Sequence, residues 1–152
     1  MHNIIVSDTS CLILFDNIGA LEVLQKTYGE IIITPEVAEE YRRQLPEWIK
    51  IKSVLHKNRQ REFEQLVDYG EASAIALALE LEKSILIIDD KRGRKLAQQM
   101  KIELTGTLGT LLKAKQLNVI SSIRPFIEKM KMFDYHISRS IEIEILKKVN
   151  EL

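Results

Sequence analysis

The sequence predicts an α/β fold with a mostly parallel central sheet of four to five strands and a helical C-terminal tail. Short apolar runs rich in isoleucine and valine recur along the chain, as in the buried strands of parallel sheets. Segments with the spacing of amphipathic helices separate these runs, which is the alternation typical of the α/β class. Beyond residue 118 the pattern is helical only.

The predicted strands are short and mostly β-branched. The strand predicted at residues 49–55 alternates only weakly between apolar and charged residues, as an edge strand does. In chain order the predicted strands are residues 3–7, 31–33, 49–55, 85–88 and 102–104.

Helices are predicted between the strands. The first opens at Asp8 and breaks at Gly19, and another starts at Thr34-Pro35, where threonine suits the N-cap and proline the first helical position. Gly70 is expected to separate two neighbouring helices. The remaining predicted helices are residues 21–24, 59–69, 71–81, 91–100, 106–114, 121–131 and 137–149.

Length and composition predict one globular domain. The 152 residues fit a single domain over 1–152, with a core of about 3–117 and a helical extension of about 118–152. Lysine plus arginine balance aspartate plus glutamate at 22 each, which argues against blanket electrostatic affinity for nucleic acid but leaves room for a local basic patch. Cys11 is the only cysteine, so an intrachain disulfide is impossible.

Cellular location is predicted from the absence of targeting signals. The chain enters its first strand within four residues, and no apolar run approaches the length that spans a membrane. We therefore expect a cytoplasmic protein without a membrane partner.

Aspartates follow two of the predicted strands. Asp8 comes directly after strand 3–7, and Asp89 and Asp90 come after the strand near residue 88. In open α/β sheets, ligands bind just beyond the carboxyl ends of the strands. Crowded carboxylates raise one another's pKa unless a cation lies among them. This pattern favours a hard divalent metal and hydrolysis of a phosphodiester, although Asp8 and one of the pair are equally suited to capping helices.

Two glutamates are further candidates by helical geometry. Glu71 lies on the same side of its predicted helix as Ala74 and Ala78, so it is centred on an apolar face. The alternative is a solvated position in the first helical turn. Glu40 flanks the inward face of its helix whereas Glu39 points away, and a peripheral salt bridge is the alternative role for Glu40.

A basic run follows the adjacent aspartates Asp89 and Asp90. Lys91, Arg92 and Arg94 lie where they would suit a phosphate backbone beside an acidic pocket. The alternative is a solvated helix start whose cations pair with the local aspartates.

The order and spacing of these residues resemble the PIN domain, a family of metal-dependent nucleases. The segments that carry the resemblance are Val6-Ser7-Asp8-Thr9-Ser10, Thr34-Pro35 with Glu40-Tyr41, Gly70-Glu71-Ala72 and Ile87-Ile88-Asp89-Asp90. The similarity spans about residues 3–117. Parts of it are especially similar to a prokaryotic branch related to toxins of toxin–antitoxin pairs.

The resemblance implies a three-layer, Rossmann-like fold and cleavage of RNA with Mg²⁺ or Mn²⁺. It implies catalytic roles for Asp8, Glu40, Glu71 and Asp90, with Asp89 as the alternative to Asp90. Asp8, Glu71 and Asp90 are the implied metal ligands, and Ser10 is a polar helper beside them. An antitoxin protein and a second copy of the chain are the expected protein partners.

Two other functions compete with the nuclease. The first is a catalytically weak PIN-fold module that binds RNA or protein, for which the stripe Ile137, Ile141, Ile145 and Val149 would supply the contact. Packing of this stripe on its own chain is the favoured alternative to a dimer or antitoxin contact. A phosphotransfer enzyme with an aspartate nucleophile is disfavoured, because Ser10 stands where such sites need a second aspartate.

Overall fold

The computed structural model describes residues 3–152, and its sheet is parallel throughout. The strands, in the spatial order β3-β2-β1-β4-β5, pair in parallel at every junction. Their bounds are β1 Ile4–Ser7, β2 Ile31–Ile33, β3 Ile49–Ile51, β4 Ser84–Ile87 and β5 Glu103–Thr105. The predicted α/β class is confirmed, and the edge strand predicted over 49–55 is shorter.

Helices flank the sheet and complete the three-layer arrangement. Their bounds are α1 Thr9–Asn17, α2 Leu21–Tyr28, α3 Pro35–Tyr41, α4 Lys57–Glu64, α5 Tyr69–Glu80, α6 Lys91–Gln99, α7 Thr107–Gln116, α8 Arg124–Lys131 and α9 Arg139–Lys148. Within residues 3–152 none of these helices is both long and apolar enough to cross a membrane.

The core is centred on β1, β4 and α5. Val6, Leu86 and Ile87 are fully buried, as expected for central strands covered on both faces. Helix α5 is alanine-rich and buried along most of its length. Its small side chains let it pack closely on the strands, so the first turn of α5 is held firmly beside the sheet edge.

The boundary between α4 and α5 differs from the prediction. Helix α4 ends at Glu64, and α5 begins at Tyr69, so Gly70 lies inside its first turn rather than between two helices. Asp68 is the N-cap of α5 and forms a capping box with Glu71, which starts the helix earlier than glycine spacing alone suggests. A Cβ at position 70 would overlap the Glu40 carboxylate, so a larger residue there would force the Glu40 side chain to move.

The buried face of α9 also differs from the predicted stripe. Ile141 is 47% exposed, whereas Leu146 is 3% and Glu142 is 7% exposed. Glu142 tolerates burial because the Lys131 ammonium donates to both of its carboxylate oxygens, at 2.8 and 3.0 Å. Packing of the whole stripe on its own chain, the favoured alternative, is therefore wrong at Ile141, whereas a contact of the stripe with a partner stays a prediction.

Glu151 fastens the end of the chain to the start of α8. Its carboxylate accepts hydrogen bonds from the Ile123 and Arg124 amides at 2.8 and 2.9 Å and from the Lys115 ammonium at 2.7 Å. Burial alone would raise the pKa of this carboxyl, but the hydrogen bonds outweigh it and lower the pKa to about 2. A distant residue thus supplies the N-terminal cap that α8 lacks locally.

We expect Glu151→Ala to lower the free energy of unfolding by about 1–2 kcal/mol at pH 7, because the α8 amides lose their acceptor. A carboxyl with a depressed folded pKa stabilises the protein above its unfolded pKa, and this contribution is lost as the pH falls towards 2. Denaturant unfolding between pH 7 and pH 3 should show the difference shrinking with acidity. Glu22→Ala, at an exposed surface pair, is the control, and an equal effect of both substitutions would contradict the capping role.

Candidate functional site

The site lies where the strand order reverses. Strand β1 has β2 on one side and β4 on the other, and its register pairs Ser7 with Ile87. The Asp8 amide donates to the Ile87 carbonyl at 3.1 Å, so the chain leaves both strands at the same level. Such a reversal opens a crevice at the carboxyl ends of the strands.

Asp8 is buried at this point with one oxygen unused. It is 1% exposed, and its Oδ1 accepts the Cys11 amide at 3.0 Å as the N-cap of α1. Its Oδ2 is buried and has no hydrogen-bond partner among the described residues. Burial raises the pKa of Asp8 to about 7, and the charges of Asp89 and Glu71 add to the rise. Asp8 therefore caps α1 and also belongs to a cluster of acids with Asp89 and Glu71.

Glu71 reaches the same edge from α5. Its Oε1 accepts the Asp68 amide at 3.4 Å within the capping box. Burial raises the pKa of Glu71 to about 7, with a further rise from the charge of Asp90. On the other side of the carboxylate, a Cβ added at Gly93 would lie 3.2 Å from Oε2, so α6 approaches it closely.

Asp89 and Asp90 diverge although they are adjacent. Asp90 is the N-cap of α6 and accepts the Gly93 amide at 3.0 Å. Asp89 instead accepts the amide and the hydroxyl of Thr107 at 2.9 and 2.5 Å, at the start of α7. The Cys11 thiol donates to Asp89 as well, at 3.4 Å. Both oxygens of Asp89 thus have partners in the described structure, whereas the contact given for Asp90 within its own helix is the one with the Gly93 amide.

Glu40 and Glu71 line one cleft of about 370 Å³. The Thr9 hydroxyl donates to Oε1 of Glu40 at 2.6 Å and orients the exposed carboxylate. Ser10, the predicted polar helper, also lines this cleft. The full lining is Thr9, Ser10, Ile13, Glu40, Arg42, Asp68 and Glu71.

The carboxylates suit a hard divalent cation by their chemistry. Among the described residues Asp8 offers a buried oxygen without a hydrogen-bond partner, and burial, with a smaller contribution from neighbouring carboxylates, raises the pKa values of Asp8 and Glu71. Among residues 3–152, however, no three histidine, cysteine, aspartate or glutamate side chains are arranged to hold a metal ion together. Asp8, Glu71 and Asp90 fit the ion as oxygen donors but do not form a closed three-ligand cage.

Two of the three cations predicted to bind substrate have structural partners. The Arg92 guanidinium donates to the Leu66 carbonyl at 2.7 Å. The Arg94 guanidinium donates to the Ile88 carbonyl at 2.6 Å, which ties α6 to the end of β4. Lys91 is exposed and has no ion-pair or hydrogen-bond partner for its side chain in the described part of the chain.

Sequence reasoning missed several contributors to this edge. Thr9, Asp68 and Arg42 line the cleft, and Thr107 holds Asp89. Thr9 and Asp68 each lie next to or near a predicted acid in the chain, so proximity was the only signal available. Arg42, two residues after Glu40, carries the same signal, whereas Thr107 binds Asp89 from a distant segment of the chain.

An all-parallel α/β sheet with acids gathered at its carboxyl edge defines the class of this site. A family model described as "DUF3368: PIN domain" matches residues 4–151. The chain therefore belongs to the PIN-domain family, as the sequence motifs indicated, and has a nuclease-type fold. PIN domains are generally nucleases and typically use divalent metal ions. No curated protein matches the chain.

We expect neutralising Asp8 to change how stability depends on pH. Its pKa is about 7 when folded, against about 3.9 for an unperturbed aspartate. A raised folded pKa contributes stability below the unfolded value, and that contribution is lost as the pH rises from about 4 to 7. Over that window the loss for Asp8 is on the order of 4 kcal/mol.

Asp8→Asn keeps an N-cap side chain and removes the charge. Denaturant unfolding in EDTA should therefore show the variant gaining on the wild type between pH 4 and pH 8. Asp16→Asn is the control, at a half-buried position on the same helix where the carboxylate pairs with Arg43. Parallel curves for Asp8→Asn and wild type would contradict the electrostatic description of the site.

Proposed function

We propose that the protein is a metal-dependent endoribonuclease that hydrolyses RNA phosphodiester bonds. One observation carries the proposal, namely the buried and unpartnered Oδ2 of Asp8 beside the charges of Asp89 and Glu71. Burial of an unpaired carboxylate oxygen among other anions is costly, and a cation at that point would offset the cost. Mg²⁺ and Mn²⁺ are suitable ions, since both prefer oxygen ligands.

The carboxylates take different roles in this proposal. Asp8, Glu71 and Asp90 hold the ion, and Asp90 is preferred to Asp89 because both oxygens of Asp89 already accept hydrogen bonds. Glu40, oriented by Thr9, positions the attacking water from the side of the cleft. When bound, the divalent ion lowers the pKa of a coordinated water and stabilises charge on the leaving oxygen.

The proposals that RNA is the substrate and that the protein acts as a toxin rest on the motif resemblance. The segments around Glu71 and Asp90 resemble the prokaryotic branch related to toxins, so an antitoxin protein is the proposed partner. Homodimerisation, a cytoplasmic location and a single domain over residues 1–152 remain predictions; residues 1 and 2 lie outside the described structure.

We expect Asp8→Asn to reduce Mn²⁺-dependent cleavage of single-stranded RNA by roughly 100-fold or more, because the ion loses its buried ligand. The measurement is a gel assay of a labelled oligoribonucleotide with and without EDTA. Asp16→Asn is the matched control on α1, since Asp16 pairs with Arg43 away from the cleft. Equal cleavage by wild type and Asp8→Asn would remove Asp8 from the mechanism.

A catalytically weak binding module on the same fold is the second candidate. The observation in its favour is that no three ligating side chains in residues 3–152 are already arranged around one point. Calorimetric titration with Mn²⁺ separates the two candidates. Saturable binding that Asp8→Asn abolishes supports the nuclease, whereas no heat of binding to a folded wild type supports the module.

A further inference from the structure

Arg42 follows the helix that carries Glu40. It is the C-cap of α3 and has a left-handed backbone, with φ 58° and ψ 23°. Its amide donates to the Ala38 carbonyl at 3.2 Å, which closes the last turn of the helix. The chain turns sharply at this residue, and Arg42 lines the same cleft as Glu40 and Glu71.

The Arg42 guanidinium is uncommitted although acids surround the cleft. Arg42 is exposed, and no carboxylate lies within 4.0 Å of its guanidinium among residues 3–152. It has no side-chain hydrogen bond in that part of the chain either. Arg42 therefore differs from Arg92 and Arg94, whose guanidinium groups already donate to backbone carbonyls.

The neighbouring arginine supplies an internal comparison. Arg43 forms an ion pair with Asp16 at 2.6 Å, and its guanidinium lies 5.6 Å from the ring centre of Tyr41. Arg43 thus has a structural role outside the cleft. Of these two adjacent arginines, Arg42 is among the residues that line the cleft and Arg43 is not.

A cleft lined by carboxylates repels a polyanion, so a substrate with a phosphate backbone needs a cation at its rim. A guanidinium presents parallel N–H donors that match two oxygens of one phosphate. We propose that Arg42 forms a phosphate-binding subsite at the rim of this cleft, which holds a phosphodiester of the RNA next to the bond that is cleaved. This inference rests on the proposed function and names the residue that seats its substrate.

The test compares Arg42→Gln, Arg42→Lys and the control Arg43→Gln. Glutamine keeps part of the side-chain stem and removes the charge, and lysine restores the charge without the two-pronged geometry. Thermal unfolding checks that each variant is folded before binding is measured.

Binding is measured first, by fluorescence anisotropy of a labelled single-stranded oligoribonucleotide in EDTA over a series of salt concentrations. We expect Arg42→Gln to weaken binding by roughly 10-fold and to reduce the slope of log affinity against log salt by about 1. Arg42→Lys should recover part of the affinity and most of the slope, and Arg43→Gln should behave as wild type. Unchanged affinity and slope for Arg42→Gln, or no binding of RNA by the wild type, would overturn the subsite.

Cleavage in Mn²⁺ separates this inference from the proposed function. We expect Arg42→Gln to raise KM by roughly 10-fold while kcat stays within about 3-fold of wild type, because the contact seats the substrate and does not act on the reacting atoms. Normal cleavage with unchanged KM refutes the subsite and leaves the nuclease intact. Absence of cleavage by the wild type refutes the nuclease, while loss of RNA binding in Arg42→Gln still supports the subsite.

Discussion

The structure depends on the burial of negative charge where β1 and β4 end side by side. Their register brings Asp8 level with the residues that follow Ile87, so several carboxylates meet at one edge of the sheet. Burial of these groups beside one another raises the pKa values of Asp8 and Glu71 to about 7. In residues 3–152 the Oδ2 of Asp8 has no hydrogen-bond partner, and this is the feature on which the proposed cation site rests.

Helix N-termini offset part of this cost. Asp8 caps α1, Asp90 caps α6, the capping box of Asp68 and Glu71 starts α5, and Asp89 accepts the Thr107 amide at the start of α7. The positive ends of four helix dipoles therefore face the same acidic edge. For Asp8 and Asp90 a capping role is therefore compatible with the proposed role in metal binding, because the helices that they cap begin at this edge.

Glycines make room for the carboxylates. A Cβ at Gly70 would overlap Glu40, and a Cβ at Gly106 would overlap Asp89. At Gly93 it would collide with Ile88 and approach Glu71. A side chain at any of these three positions would displace the neighbouring groups. The close packing of acids and backbone at this edge is therefore a steric reason for glycine there.

The sequence by itself determined the fold class, the parallel strands and the acids at their ends. The reason is that the spacing of apolar and polar residues along the chain is a local property that can be read directly. Asp8 and Glu71 were found in this way. Only the tertiary structure decided that Asp89 binds Thr107, that Arg94 donates to the end of β4, and that Arg42 lines the cleft. It also decided that Ile141 stays exposed. The physical reason is that hydrogen bonds and charge contacts between distant segments depend on where the helices dock, and no local pattern records the partner across the fold.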